Sequence, residues 1–102
     1  KIFIIQSIDR KMDFEDIARA KRLSFDELLT EIEAIVNSGT RLNINYFLEK
    51  YMDEDKIDDI FLYFKEDAES DSLAEAYDEL GDEYTEEEIR LVRIKFLCEA
   101  GN

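Results

Sequence analysis

Residues Met12–Gly39, MDFEDIARAKRLSFDELLTEIEAIVNSG, decide the fold. They read as two helices joined by a tight turn. Asp13 is placed to cap the first, with Asp16 three residues on as in a capping box, and Phe14, Ile17 and Ala18 share one face. Lys21, Arg22 and Leu23 form the turn. Ser24 caps the second helix and Glu27 completes a Ser-x-x-Glu box, in which each side chain satisfies a free backbone N–H of the other residue. Phe25, Leu28, Leu29, Ile32, Ile35 and Val36 recur at the spacing of a helical apolar stripe, and Gly39 falls where a left-handed C-terminal cap belongs. A short helix, a brief turn and a longer helix make a helix-turn-helix unit.

Upstream, KIFIIQSIDRK (1–11) carries Ile4, Ile5 and Ile8 on one stripe that Met12 closes. Its β-branched start is compatible with a strand, but the stripe favours the first helix of a three-helix unit. Downstream, GTRLNI (39–44) alternates Leu42 and Ile44 with polar residues. That is at most one strand of the β-hairpin a winged helix needs, so any wing is rudimentary. Asn45 is read as the cap of a short helix, Tyr46–Met52. Asp53 opens the next, with Ile57, Ile60, Phe61 and Phe64 as its buried stripe, and KEDAESD (65–71) is a polar connection. Ser72 with Glu75 and Thr85 with Glu88 make two further boxes. Leu73, Ala76, Tyr77 and Leu80 follow the first, and Gly81 ends that helix. The last helix, Glu86 to about Ala100, has Ile89, Val92 and Phe96 on one face and Leu91, Ile94 and Cys98 on another. A helix apolar on several sides is either central or docked on a partner. The expected fold is all-α, about six or seven helices in one domain. It divides into a helix-turn-helix unit (1–52) and a helical extension (53–102).

Composition limits the chemistry. The 102 residues suit one domain. Twenty-seven acids against thirteen bases leave a net charge of −14, which opposes free-standing binding to phosphate. With no His and one Cys, an internal disulfide, the usual zinc site and a Ser–His or Cys–His pair are excluded. There is no Gly-rich phosphate loop. Residues 67–78 have alternating acids like a calcium loop, but Ser72 stands where that loop requires glycine. No catalytic residue, metal or cofactor is expected. The longest apolar run, Ile2–Ile5, cannot cross a bilayer, and no signal-peptide pattern or membrane partner is expected. The chain opens at Lys1 inside an apolar pattern without an initiator Met, as expected of a piece of a longer protein.

The basic residues are the candidates for binding. Arg10, Lys11, Arg19, Lys21 and Arg22 make the N-terminal region the least acidic large section. Thr40 and Arg41 lie just past the second helix of the motif, where a backbone phosphate would pass. Lys21, Arg22 and Arg41 equally suit the negative ends of helices. The second helix itself is a poor DNA reader. Its exposed face carries Asp26, Glu27, Thr30, Glu31, Glu33 and Asn37, with no cation to contact phosphate. Tyr46, Phe47 and Tyr51 beside Lys50 could stack on unpaired bases, although aromatics at this spacing are usually core.

The runs IIQSIDRKMDFEDIARAKRLSFDELLTEIEAIVNSGTRLNINYF (4–47) and YDELGDEYTEEEIRLVRIKFL (77–97) resemble the extreme C-terminal region of one group of bacterial RecQ-type ATP-dependent DNA helicases. IIQSIDRKM, SGTRLNI and EEIRLVRIKF are the most distinctive pieces. The resemblance implies a parent that uses ATP and magnesium to unwind DNA with 3′ to 5′ polarity in recombination and repair, in the bacterial cytoplasm at the nucleoid. It also implies a C-terminal accessory domain on which none of the family's catalytic residues falls. Two roles compete for that domain. It is an auxiliary DNA-binding module for single-stranded or forked DNA, acting through Arg10, Lys11, Arg19, Lys21, Arg22 and Arg41. Otherwise it is an acidic docking module for a basic protein or for the helicase motor core, with Leu91, Ile94 and Cys98 as its apolar contact.

Overall fold

Five of the six expected caps sit at helix starts in the computed structural model, which describes residues 1–100. The helices are α1 (Ile2–Asp9), α2 (Phe14–Lys21), α3 (Phe25–Asn37), α4 (Asn45–Tyr51), α5 (Glu54–Leu62), α6 (Leu73–Leu80) and α7 (Glu86–Glu99). A π-helical turn, Tyr63–Asp67, extends α5, and no strand occurs among the described residues. The fold is all-α and contains the helix-turn-helix.

The boxes differ in how completely they close. At α3 the Ser24 hydroxyl accepts from the Glu27 N–H at 3.0 Å, and Glu27 Oε1 accepts from the Ser24 N–H at 2.9 Å. Thr85 and Glu88 do the same at α7, at 3.1 and 2.9 Å. At α2, Asp13 accepts from the Glu15 N–H, but Asp16 turns away to Arg19 at 2.8 Å. An aspartate is one methylene short of the Glu or Gln that closes such a box. At α6, Ser72 accepts from the Glu75 N–H at 3.3 Å while the Glu75 carboxylate takes the Ser70 hydroxyl instead. Asn45 is not a cap. It is the first residue of α4, and Asn43 Oδ1 accepts its N–H at 3.0 Å. Residues 40–44 form no strand, in keeping with at most a rudimentary wing.

Helices α1 and α2 end alike. The Met12 N–H reaches the Ser7 carbonyl and Lys11 N–H reaches Ile8; Leu23 N–H reaches Ala18 and Arg22 N–H reaches Arg19. Both are Schellman closures, which require a left-handed residue. Lys11 (φ 61°) and Arg22 (φ 59°) supply it where glycine is usual. The α3 closure uses Gly39 at φ 101°.

One core joins the two halves of the chain. Phe14 stacks on Phe47 at 4.1 Å, which fastens α2 to α4. Tyr46 donates to the Met12 carbonyl and Lys50 pairs with Asp13, closing the same seam. Helix α7 is the hub. It lies against α3 and α4 on one side and against α5, the π-turn and α6 on the others. Ile89, Leu91, Val92 and Ile94 are fully buried on it, and Cys98 is 6% exposed. This corrects the expectation of an apolar docking strip: Leu91, Ile94 and Cys98 are core, because α7 is enclosed by the rest of the domain.

The charge is unevenly divided. Residues 1–52 hold eight Lys or Arg and nine Asp or Glu, while residues 53–102 hold five and eighteen. The whole net charge of −14 therefore resides almost entirely in the extension.

Candidate nucleic-acid interface

In a DNA-reading helix-turn-helix the second helix enters the major groove. Here α7 holds one side of that helix. Asp26, Thr30 and Glu33 stand at i, i+4 and i+7 on α3 and form a single stripe. The Arg90 guanidinium spans it. Its Nη1 donates to Asp26 at 2.6 Å, its Nη2 to Thr30 at 3.0 Å and to Glu33 at 2.8 Å, and its Nε to the other Glu33 oxygen at 3.2 Å. The two-point contact with Glu33 is the strong Arg–carboxylate geometry. Arg90 and Glu33 are nearly buried there, at 12% and 14% side-chain exposure. Glu33, and then Asp26, hold the guanidinium pKa above its already high ordinary value. Arg93 continues the clamp, donating to the Asp71 carbonyl at 2.6 Å and lying 4.0 Å from Glu33. The remaining outward stripe of α3, Glu27, Glu31 and Ala34, is exposed and brings two carboxylates. No cation of α3 faces outward, so this helix is a packing and anchoring element.

The sequence-predicted cations are disposed differently. Arg10, Lys11, Lys21, Arg22 and Arg41 are exposed, and none is in an ion pair among the described residues. Arg19 is also exposed but engages Asp16. Thr40 is half-buried. Every cation of the extension except Lys65 is engaged, by Glu88, Glu33, Asp71 or Glu99. The free positive charge thus sits on the helix-turn-helix half. Three of these cations can be placed against neighbouring features. Two shallow grooves meet at Asn43 and Asn45; Lys11 lines one together with Asp9 and Glu49, and Arg41 lines the other together with the Lys95–Glu99 pair. Lys21 lies at the opposite end of α1, with its Nζ 5.9 Å above the Phe3 ring.

The aromatic alternative does not survive. Phe47 is core, Tyr46 is tied to Met12, and Tyr51 stacks on Phe25 at 5.9 Å and donates to Glu87. Cys98 is also unreactive by position: burial pushes its thiol pKa up. Arg90, Arg93 and Lys95 were missed. Their sequence signal is three cations, 90, 93 and 95, set among the apolar residues of α7, where a charge must find a partner. No group of three or more His, Cys, Asp or Glu among the described residues is arranged to hold a metal. No described helix is long and apolar enough to cross a membrane.

These features define a helix-turn-helix domain whose second helix is engaged internally by α7. Residues 1–48 match the family model described as the RecQ-1-like helix-turn-helix domain, and this N-terminal segment is similar to that domain. The match ends within α4, so the clamp from α7 lies outside it. No curated protein matches the chain.

Proposed function

We propose that the chain is a non-catalytic accessory domain of a RecQ-type ATP-dependent 3′–5′ DNA helicase acting in recombination and repair. In this reading it steadies single-stranded or forked DNA by phosphate contacts and reads no bases. The ATP and magnesium chemistry belongs to the motor core. One observation carries the proposal: Lys11 and Arg22 occupy left-handed positions and present free, exposed cations there. An L-residue in that conformation costs roughly 1–2 kcal/mol, of which the favourable helix-end location of a cation returns about 0.3–1. Glycine would fit both turns without that strain. Cations held at a conformational cost mark positions where the charge itself is used. Arg41, beside Asn43 and across from Lys11, extends the same contact.

The test is fluorescence anisotropy of the domain with single-stranded, duplex and forked DNA across a salt series. Two to three phosphate contacts predict a slope of log K against log salt of about −1.5 to −3. Lys11→Glu with Arg41→Glu removes the binding, whereas Arg19→Glu, already engaged by Asp16, has the smaller effect. Absence of binding at low salt refutes the phosphate role.

A second reading rests on the extension. Its thirteen excess negative charges and fully engaged hub helix favour an acidic face for a basic protein. The two roles use different halves of the chain and are compatible.

A further inference from the structure

Arg41 stands on a stretch, residues 40–44, that has no helix or strand of its own. No backbone N–H of that stretch donates to a backbone carbonyl among the described residues. Its side chains alternate instead. Leu42 and Ile44 are buried, at 5% and 1% exposure, while Arg41 and Asn43 are exposed. Such a segment takes its shape from whatever it lies on.

It lies on α7. Cys98 sits against the Leu42 backbone, and Lys95, one turn earlier on the same face, donates from Nζ to Asn45 Oδ1 at 2.9 Å. Asn45 in turn donates its backbone N–H to Asn43 Oδ1 at 3.0 Å. A line of polar contacts thus runs from α7 through Asn45 to Asn43, two residues from Arg41. Lys95 is unlike a solvated surface lysine. Its side chain is 17% exposed, its ammonium pairs with Glu99, and it lies 5.3 Å from the centroid of the Phe61 ring on α5. Three partners on three helices therefore fix the ammonium. Its charge is already met by Glu99, which leaves it little to offer a phosphate directly.

We infer that Lys95 is a positioning residue for the DNA contact: it ties the Asn43–Asn45 turn to α7 and so presents Arg41, in the groove that both line, to a DNA phosphate. This rests on the phosphate-contact role proposed above and adds what governs it. Lys95 lies outside residues 1–48, the part that matches the family model. The presentation of Arg41 thus depends on a helix that the matched segment does not contain.

The test compares four forms of the whole chain: the parent, Lys95→Met with Glu99→Gln, Arg41→Ala, and all three changes together. Removing Lys95 and Glu99 as a pair keeps the net charge. Anisotropy with forked DNA is followed across a salt series. The pair is expected to weaken binding about threefold, the order of immobilising one side chain on binding, at an unchanged slope of log K against log salt. A phosphate contact made by Lys95 itself would instead lower the magnitude of that slope by about 0.7–0.9. In the Arg41→Ala background the pair is expected to cost nothing further, because it acts through Arg41. A lowered slope, or a further threefold loss in that background, would overturn the positioning role. Asn45→Ala breaks the same tie from the other side without changing charge. It is expected to weaken binding by the same factor, and unchanged binding would count against the tie.

Amide hydrogen exchange reads the tie without DNA. The amides of residues 42–45 are expected to exchange about tenfold faster in the Lys95 pair variant, the order of one lost hydrogen bond to a charged group, while those inside α3 and α7 keep parent rates. A parent that binds no DNA refutes the phosphate role and leaves exchange to decide whether Lys95 holds the segment. A parent that binds, with exchange and affinity unmoved in the variant, refutes the positioning alone.

Discussion

Replacing Arg90 by alanine should unfasten the extension from the helix-turn-helix. Of its three α3 partners, Asp26 is 78% exposed and contributes little beyond a surface pair, about 0–1 kcal/mol. Glu33 is different. It is 14% exposed and accepts two hydrogen bonds, and truncating Arg90 leaves its carboxylate nearly buried with Arg93 alone, 4.0 Å away. Breaking a fully buried pair costs about 3–5 kcal/mol, and the partial exposure here brings the expected loss to about 2–3 kcal/mol. Domains of this size are stable by only about 5–15 kcal/mol, so the loss is large. It corresponds to a fall in Tm of roughly 10–20 °C. The assay is thermal unfolding by far-UV circular dichroism on four proteins: the parent, Arg90→Ala, Glu33→Gln and the double variant. The double variant should be less destabilised than the sum of the singles by at least about 1 kcal/mol, because the second change removes a charge the first had orphaned. A Tm shift under about 3 °C for Arg90→Ala, or strict additivity in the cycle, would refute the clamp.

Four further outcomes follow from the geometry. Lys11→Gly and Arg22→Gly should leave stability unchanged or raised by up to about 1 kcal/mol while weakening DNA binding; equal losses of both in chemical denaturation and anisotropy would mean the cations serve only the fold. Asp13→Ala should cost about 1 kcal/mol through the lost α2 cap, and Asp13→Asn less, as measured in urea. The Lys50 ammonium and then the Glu15 N–H hold the Asp13 carboxyl below its ordinary value of 3.8; its stabilisation is therefore full above that pH and is lost as pH falls through the depressed folded-state value, which an acid titration of Asp13→Asn against the parent will register. All five tyrosines are raised, with Tyr46, Tyr51 and Tyr84 pushed up to about 12, chiefly by burial. A raised folded-state value favours the protonated native form, so stability holds below the ordinary value of 10 and falls as pH rises from there toward 12; tyrosinate absorbance and loss of helix should rise together, and tyrosinate appearing well before unfolding would contradict the burial.

The helix-turn-helix was legible because its signals are local. Ser24 and Glu27 lie within one turn, and the stripe from Leu28 to Val36 needs only the helical period. The same holds for the α7 cap. What failed were readings that depend on a distant partner. Leu91, Ile94 and Cys98 form a second apolar face, and the sequence allows either a docking strip or a core. Only the packing of α3, α4, α5 and α6 around α7 decides between them. Asn45 failed for a subtler reason. Asn43 and Asn45 are equally good local acceptors, and Lys95, fifty residues away, takes the second. The Arg90 clamp joins residues up to sixty-four positions apart, beyond the reach of any local rule. The π-turn also went unread, since KEDAESD has the composition of any polar connection and nothing in it announces a backbone shift of one residue.

The uneven division of charge changes what a neighbouring molecule experiences. At physiological ionic strength a charge is felt over a Debye length of about 8 Å. The domain is 35 Å along its longest axis. In the proposed complex, a DNA strand at the Lys11 and Arg41 grooves would respond mainly to the near-balanced half under it and be screened from most of the acids of the extension. Lowering the ionic strength lengthens that reach until the remote acids are felt as well. Salt then has two opposed effects on one encounter, weakening the local attraction while hiding the distant repulsion. The fall of log K with log salt should accordingly be shallower at the low-salt end of the series than at the physiological end, while affinity still rises as salt is removed.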